Sequence, residues 1–535
     1  MALTRGGTMQ WVLALSVVVA IGCSGSDGAG QHGTGGSGAT GGSGAAGGKG
    51  GGGGAPAPTL PPVTKFDILG AGANSSLPDE LCAAVKLPAG CDLCDALGYY
   101  GDLECDTSLI DAGLCQGPDS DCVPSPADYY VAPNGNDANE GSKANPFLTV
   151  QKAQDVAQPG DRIYLRGGTY HPTESTRFTT AGTAAKPVLL LGYPGELPII
   201  DASNVPEGNT QGPSTPTWDL DGAKHWRIHG PLRLTKGRGA GVSIEGDTED
   251  IDFVNVESSY NGNSAARGGH GFTIVEEQWA KAKDIRFINC DAHHNANHLT
   301  QPGENVADNL YQHGDGWRIK SGKNVQLVGC RSWHNLDDNY DLVWAKSQVS
   351  LYECWSGFAG RDDAQGSITG KPNFEPGWGE GIKLGYSDDT GPHSCIRCLS
   401  FKNYDLGFRI DGGPYLLENC SSFENGKRPF GWSLGAAPNV LQNSLDLGTP
   451  KQSTIPATTT STHNSWDAPS SFVVSAADFQ SVDDAPLLGS RSSDGSLPVV
   501  PFLRLVPGSD LIDAGLPGQA PSAGSAPEIG CFESY

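Results

Sequence analysis

The chain lacks any run of the ~20 apolar residues that a membrane-spanning helix requires; its clearest apolar stretch, Trp11 to Ile21, is short and broken by Ser16. Basic residues are scarce, 35 Lys and Arg against 60 Asp and Glu, for a formal net charge of −25. That excess repels a phosphate backbone and excludes nucleic acid as a partner. It does not exclude an acidic polysaccharide, because a divalent cation can bridge two anionic surfaces. Between Ser24 and about Pro62 the chain lacks almost everything but Gly, Ala, Ser and Thr. Such a segment has little to bury and cannot offset its ordering entropy, so a flexible tether is expected.

What precedes the tether is an export signal. Arg5 supplies positive charge and Trp11 to Ile21 the apolar core of a signal peptide. The tetrad Ala20-Ile21-Gly22-Cys23 resembles a bacterial lipobox. That resemblance implies a signal peptide over 1–22, acylation of Cys23, and a tether over 23–62. The protein is then expected in the bacterial cell envelope, as an outer-membrane lipoprotein or secreted, touching membrane only through the anchor. A secreted protein cut near Gly22 is the alternative. Residues 63–127 hold Cys82, Cys91, Cys94, Cys105, Cys115 and Cys122. In an oxidising compartment they read as a small disulfide-stapled module whose pairing the spacing leaves open. Cys91 and Cys94 form half a zinc motif without a second half. No chemistry is evident there.

The remainder, 128–535, reads as one all-β solenoid, a parallel β-helix. It opens at Tyr129-Tyr130-Val131 and is followed by a helix-like stretch from Val150 to Val156 that would cap the open end of the stack. Downstream one pattern recurs: Val256…Asn261, Cys290…Asn295, Cys330…Asn335, Cys354…Ala359, Cys398…Asn403 and Cys420…Asn425. Steps such as Cys330 to Cys354 match one solenoid coil. The Asn column fits turns whose amides bond backbone groups and one another. The Cys column fits a buried ladder of small side chains, with disulfides between coils as the alternative.

A second register precedes these turns: Gly271-Phe-Thr-Ile274, Gly316-Trp-Arg-Ile319, Asp341-Leu-Val-Trp344, Gly381-Ile-Lys-Leu384 and Gly407-Phe-Arg-Ile410. Side chains alternate faces along a strand. The alignment sends Leu342 and Trp344 inward with Trp317 and Ile382, and sends Thr273, Arg318, Val343, Lys383 and Arg409 outward. Asp341 takes a place its neighbours give to Gly, which puts Lys383 one coil on and two residues along, ~8 Å away. Asp337, Asp338 and Asp341, with Asp315 from the coil before, form one acidic patch. Coils stack ~4.8 Å apart, and four carboxylates without Cys or His select a hard cation, Ca²⁺ before Mg²⁺. The basic column beside them suits a polyanionic substrate.

Asp315-Gly316, Asn335-x-Asp337-Asp338-x-Tyr340-Asp341-Leu342 and Gly379-x-Gly381-x-Lys383-Leu384-Gly385 resemble the site of family 9 polysaccharide lyases. The resemblance runs from about Tyr129 to Glu533. It implies a right-handed parallel β-helix pectate lyase in which Asp315, Asp337, Asp338 and Asp341 hold Ca²⁺ and Lys383 is the base. The substrate class would be pectate or polygalacturonate, cleaved by β-elimination, with Arg318 or Arg409 gripping a neighbouring carboxylate. The departures are the lipobox, the cysteine module and an insertion from Gly357 to Gly379, which carries Asp362, Asp363 and Trp378, with Glu380 just beyond. The insertion bears on the substrate more than on the reaction. A non-catalytic glycan-binding β-helix and a lyase of another pectic polymer such as rhamnogalacturonan remain as alternatives, and a monomer is expected.

Overall fold

The computed structural model describes residues 127–533, apart from 194, 207–214, 263–268, 276–280, 297–313, 362–377, 387–390, 433–436, 450–453, 468–472, 493–494, 520–521 and 523. The signal peptide, Cys23, the tether, the six-cysteine module, Asp362 and Asp363 lie outside the described residues.

Named strands pair in parallel throughout, as the repeats predict. Among the described residues, one sheet of nine strands runs in chain order from Thr176–Phe178 through Phe272–Ile274, Trp317–Ile319, Tyr340–Asp341, Ile382–Lys383 and Leu406–Arg409 to Arg428–Gly431. The other strands form the remaining faces of the coils, for example Lys323–Val328 followed by Arg331–Trp333. Neighbours in each sheet are successive coils, which defines a parallel β-helix. The helix Val150–Val156 forms where expected: the Thr149 side chain accepts from the Lys152 N–H, and Val150 and Ala153 are buried.

The interior is filled by stacks that follow the register. Phe272, Trp317 and Tyr340 stack at 5.1 Å per step, with interplanar angles of 13° and 5°. Cys290, Cys330, Cys354, Cys398 and Cys420 are all buried free thiols, so the column is a ladder and not a set of bridges. Outside the coils a second apolar cluster joins Trp355, Leu399, Phe423 and Leu445 to Phe479, Leu487, Phe502 and Ile529. The C-terminal segment thus covers one face of the stack.

The asparagine column is a continuous hydrogen-bonded ladder. Asn261 donates to Asn295 and Asn295 to Asn335, each at 3.0 Å, and Asn403 donates to Asn425 at 2.9 Å. Just before each rung the backbone turns left-handed at a non-glycine residue, including His294, His334, Phe358 and Lys402. Such a conformation costs about 1–2 kcal/mol, which the buried amide contacts offset. One rung is missing from the column, since Ala359 stands between Asn335 and Asn403. Asn339 fills the gap from a different strand. It accepts from Asn335 Nδ2 at 2.8 Å and donates to Asn403 Oδ1 at 3.3 Å and to the Gly357 carbonyl at 2.9 Å. Asn339 occupies the position that Gly316 and Gly381 hold on neighbouring coils, so two departures from the repeat compensate each other.

This exchange makes a testable cycle. Asn339→Gly removes the buried hydrogen bonds that its amide makes with Asn335, Asn403, Ser356 and the Gly357 carbonyl and is expected to cost about 1–3 kcal/mol. Ala359→Asn alone is expected to destabilise by overpacking, whereas the double variant recovers most of the loss. Denaturation midpoints of the four proteins measure the coupling; additive losses would refute it.

Candidate active site

The backbone ladder decides which side chains meet. Arg318 pairs in register with Asp341, Asp341 with Lys383, and Lys383 with Arg409. Residues on one face of consecutive parallel strands lie ~4.8 Å apart, so these four form one outward column. The expected two-residue offset between Asp341 and Lys383 is therefore corrected. Tyr340, not Leu342, pairs with Trp317 and Ile382, and Trp344 is 45% exposed instead of pointing inward. The pattern Asp341-Leu-Val-Trp344 imitates the Gly-led strands, but the Gly position on this coil is held by Asn339.

Three residues earlier on each coil runs a second column. The N–H groups of Gly271, Gly316 and Asn339 donate to the carbonyls of Asp315, Asp338 and Glu380 at 3.0–3.1 Å. This places His270, Asp315, Asp338 and Glu380 in line, each just ahead of the tight position. At the glycines of this position the coil leaves no room for a side chain: a Cβ on Gly316 would lie 2.0 Å from Ser332 Oγ, and one on Gly381 2.2 Å from Ser400 Oγ. Glu380 is the residue that sequence reasoning left without a role. Its signal was its register, one coil beyond Asp338.

Asp315, Asp338 and Asp341 are buried and offer oxygens within 4.8 Å of one another. Two oxygens on one Ca²⁺, each at ~2.3–2.6 Å, can be separated by at most about twice that length, so the trio fits a single hard cation. The fourth expected ligand, Asp337, is also buried, but it stands outside this trio and its Oδ1 accepts from the Trp378 N–H at 2.7 Å. The turn is braced from both sides. Asp315 Oδ1 accepts from the Asp338 N–H at 3.1 Å, and Asp338 Oδ1 accepts from the Glu380 N–H at 2.9 Å.

Lys383 is buried against these acids, its Nζ 2.9 Å from Asp338 Oδ2, 3.2 Å from Asp341 Oδ1 and 3.9 Å from Glu380 Oε2. Burial pulls its pKa down, but Asp338, Asp341, Glu380 and Asp337 together hold it well above the ordinary lysine value. Burial drives the Asp338 carboxyl well above its usual range, with Glu380, Asp341 and Asp315 adding to the effect against the pull of Lys383. Burial likewise raises Glu380. Carboxylates outnumber cations around the site, and a bound divalent cation would redress the balance. Arg318 lies 3.7 Å from Asp315 and 3.8 Å from Asp341. Arg409 has Nε on Asp411 at 2.5 Å and Nη1 on Glu380 at 2.6 Å. Two of its three nitrogens are committed, so the expected bidentate grip on a substrate carboxylate would have to displace one of them.

The protein is thus a parallel β-helix with a buried lysine set among clustered aspartates. Residues 129–441 match the family described as "Pel9A-like, right handed beta helix region". Pectate lyase PEL9 of Emericella nidulans is 28% identical over 408 residues, 72% of this chain and 94% of that protein. Pectate lyase L of Dickeya dadantii is 27% identical over 419 residues, 76% of this chain and 90% of the relative. Among solved structures, pectate lyase Pel9A superposes with a TM-score of 0.61 at 25% identity, covering 76% of this chain and 96% of that one. A rhamnogalacturonan lyase shares the fold, with a TM-score of 0.57 at 21% identity over 71% of this chain and 96% of its own. The chain belongs to the Pel9A-like family of right-handed β-helix proteins and is a pectate lyase-like polysaccharide lyase.

Glu380 ties three parts of this arrangement together, so its removal has a stability cost. Glu380→Ala strips Arg409 of one buried partner and is expected to lower stability by about 3–5 kcal/mol. Glu380→Gln keeps an acceptor for Arg409 and loses less. Chemical denaturation checks both, and equal midpoints for the Ala variant and the parent would rule out a structural role.

Proposed function

We infer that the chain cleaves a 1,4-linked polyuronate, pectate or polygalacturonate, by calcium-dependent β-elimination with Lys383 as the base. The observation that carries this reading is the 2.9 Å and 3.2 Å approach of Lys383 Nζ to Asp338 and Asp341, which joins a single amine to an all-oxygen cation site. The names of the relatives, pectate lyases, support the substrate class.

In such a chain the C5 proton lies next to a carboxylate. Bound Ca²⁺ supplies Lewis acidity, stabilising the charge that develops when that proton leaves. Asp315, Asp338 and Asp341, with Asp337 from the same turn, would hold the ion. Lys383 in its neutral form takes the C5 proton. The electron pair left on C5 forms the C4=C5 double bond as the C4–O bond breaks, and the departing oxygen takes a proton from solvent. Asp338 and Asp341 fix the direction of Nζ. Arg318, two coils before Lys383, receives a neighbouring carboxylate; Arg409 has only Nη2 beyond its two carboxylate partners for the same purpose.

The pH dependence follows from the sign of the shift. Only neutral Lys383 is a base, and its fraction rises about tenfold per pH unit below the pKa. Its raised pKa therefore predicts activity that climbs through neutrality into the alkaline range, with cation binding easing the value downward. Formation of unsaturated uronate on polygalacturonate, followed by absorbance, is expected to require calcium and to stop on chelation while the β-sheet circular dichroism persists. Lys383→Arg is expected to be nearly as inactive as Lys383→Ala, because guanidinium keeps its proton at any workable pH. Wild-type cleavage by Lys383→Arg would remove Lys383 from the role. Preference for rhamnogalacturonan in the same assay would move the substrate assignment.

The remaining assignments are proposals of the same standing: a signal peptide over 1–22, an acylated Cys23, a tether over 23–62, a disulfide module over 63–127 and a monomeric enzyme at the cell envelope. Among the described residues no helix is long and apolar enough to cross a membrane. Cys23→Ser is expected to release the protein from the membrane fraction and to abolish fatty-acid labelling; unchanged partitioning would refute the anchor.

A further inference from the structure

Two large rings stand half in solvent beside the charged columns. Trp378 is 55% exposed and Tyr386 47%. They lie before and after Lys383 on the coil that carries it, yet both reach the same group. The Arg409 guanidinium carbon is 5.6 Å from the Trp378 ring centroid and 5.5 Å from that of Tyr386, within cation–π range of each. Arg409 is itself pinned, with Nε on Asp411 and Nη1 on Glu380, and all three residues are buried. The Trp378 backbone is fixed as well, through its N–H bond to Asp337. Each ring therefore meets an immobile cation and keeps much of its surface open.

We propose that Trp378 and Tyr386, carried by the coil of Lys383 and meeting at Arg409, form a stacking subsite for a pyranose ring of the bound polysaccharide at the level of Arg409, with Arg409 as the positioning residue for both rings. The proposal rests on the polyuronate reading above. A pyranose presents apolar C–H faces and a polar edge. An aromatic ring covers such a face without leaving a hydrogen bond unmade, while the carboxylate on the edge stays available to the cationic column. Coil spacing is ~4.8 Å, close to the length of one sugar residue. A chain lying along the columns with its reacting C5 at Lys383 thus brings a neighbouring residue to the level of Arg409. Rings already held by a locked guanidinium lose little freedom when the sugar arrives, which is where preorganisation gains affinity.

The test compares Trp378→Ala, Tyr386→Ala, the double variant and Trp378→Phe with the parent on polygalacturonate and on galacturonate oligomers of increasing length. The double variant is expected to raise KM for the polymer about ten-fold with kcat changed less than about two-fold. Trp378→Phe should restore most of the loss attributable to Trp378, because stacking needs the ring and not the indole N–H. The KM effect should disappear for the shortest oligomers, which do not reach past Lys383. In a Lys383→Ala background, quenching of tryptophan fluorescence by trigalacturonate with calcium should be lost when Trp378→Phe is added. A double variant that cleaves polymer with the parental KM overturns the subsite and leaves the lyase reading standing. So does a fall in kcat at constant KM, which would assign the rings to the chemical step. If the parent neither binds nor cleaves any polyuronate, the polyuronate reading fails and the subsite with it.

Discussion

Everything at the candidate site depends on the parallel backbone hydrogen bonds that lock one coil to the next. Arg318, Asp341, Lys383 and Arg409 are far apart in the chain and carry opposing charges, and the strands that hold Asp341 and Lys383 are only two residues long. No local preference would bring them together. The ladder does so by making register between coils obligatory, since a one-residue slip would turn the Trp317–Tyr340 stack out of the interior. The interior aromatic stack is thus the device that sets the spacing of the charges outside it.

The electrostatics are unusual for such an acidic protein in being both concentrated and buried. Asp315, Asp338, Glu380, Lys383 and Arg409 are each less than a tenth exposed. Removing charges from water is costly unless they are paired and hydrogen-bonded. Here the pairing alternates between two columns, mostly acids in one and mostly cations in the other, with Asp341 as the acid among Arg318, Lys383 and Arg409. That one exception brings a third carboxylate into the group and puts it against the lysine amine. The excess of acids leaves negative charge that the divalent cation proposed for this site would offset.

Much of this was legible in the chain. The Cys and Asn columns gave the coils, the Gly-led strands gave the faces, and Asp315, Asp338, Asp341 and Lys383 fall together as their spacing implied. The register of the Asp341 strand was misread by two residues because Leu342-Val343-Trp344 offers the same apolar alternation as the other strands. Only the three-dimensional ladder shows that Asn339 replaces both the expected glycine and the amide absent at Ala359. Arg409 was legible as a position but not as a state: its partners Glu380 and Asp411 come from different coils, and nothing in the spacing shows that they saturate it. Glu380 was hidden because an acidic residue beside an insertion in an acidic protein looks like surface.

The detour of the amide ladder through Asn339 has a kinetic consequence. Asn339 sits between Asp338 and Tyr340, so the rung that closes the ladder is also the residue from which the acidic turn hangs. Most enzymes place their working groups on segments that open more readily than the core. In this protein the turn cannot lift away without breaking buried amide bonds to the coils on either side. Amide protons of the turn should therefore exchange as slowly as those of the central coils, and heat should inactivate the enzyme only as fast as it unwinds the solenoid.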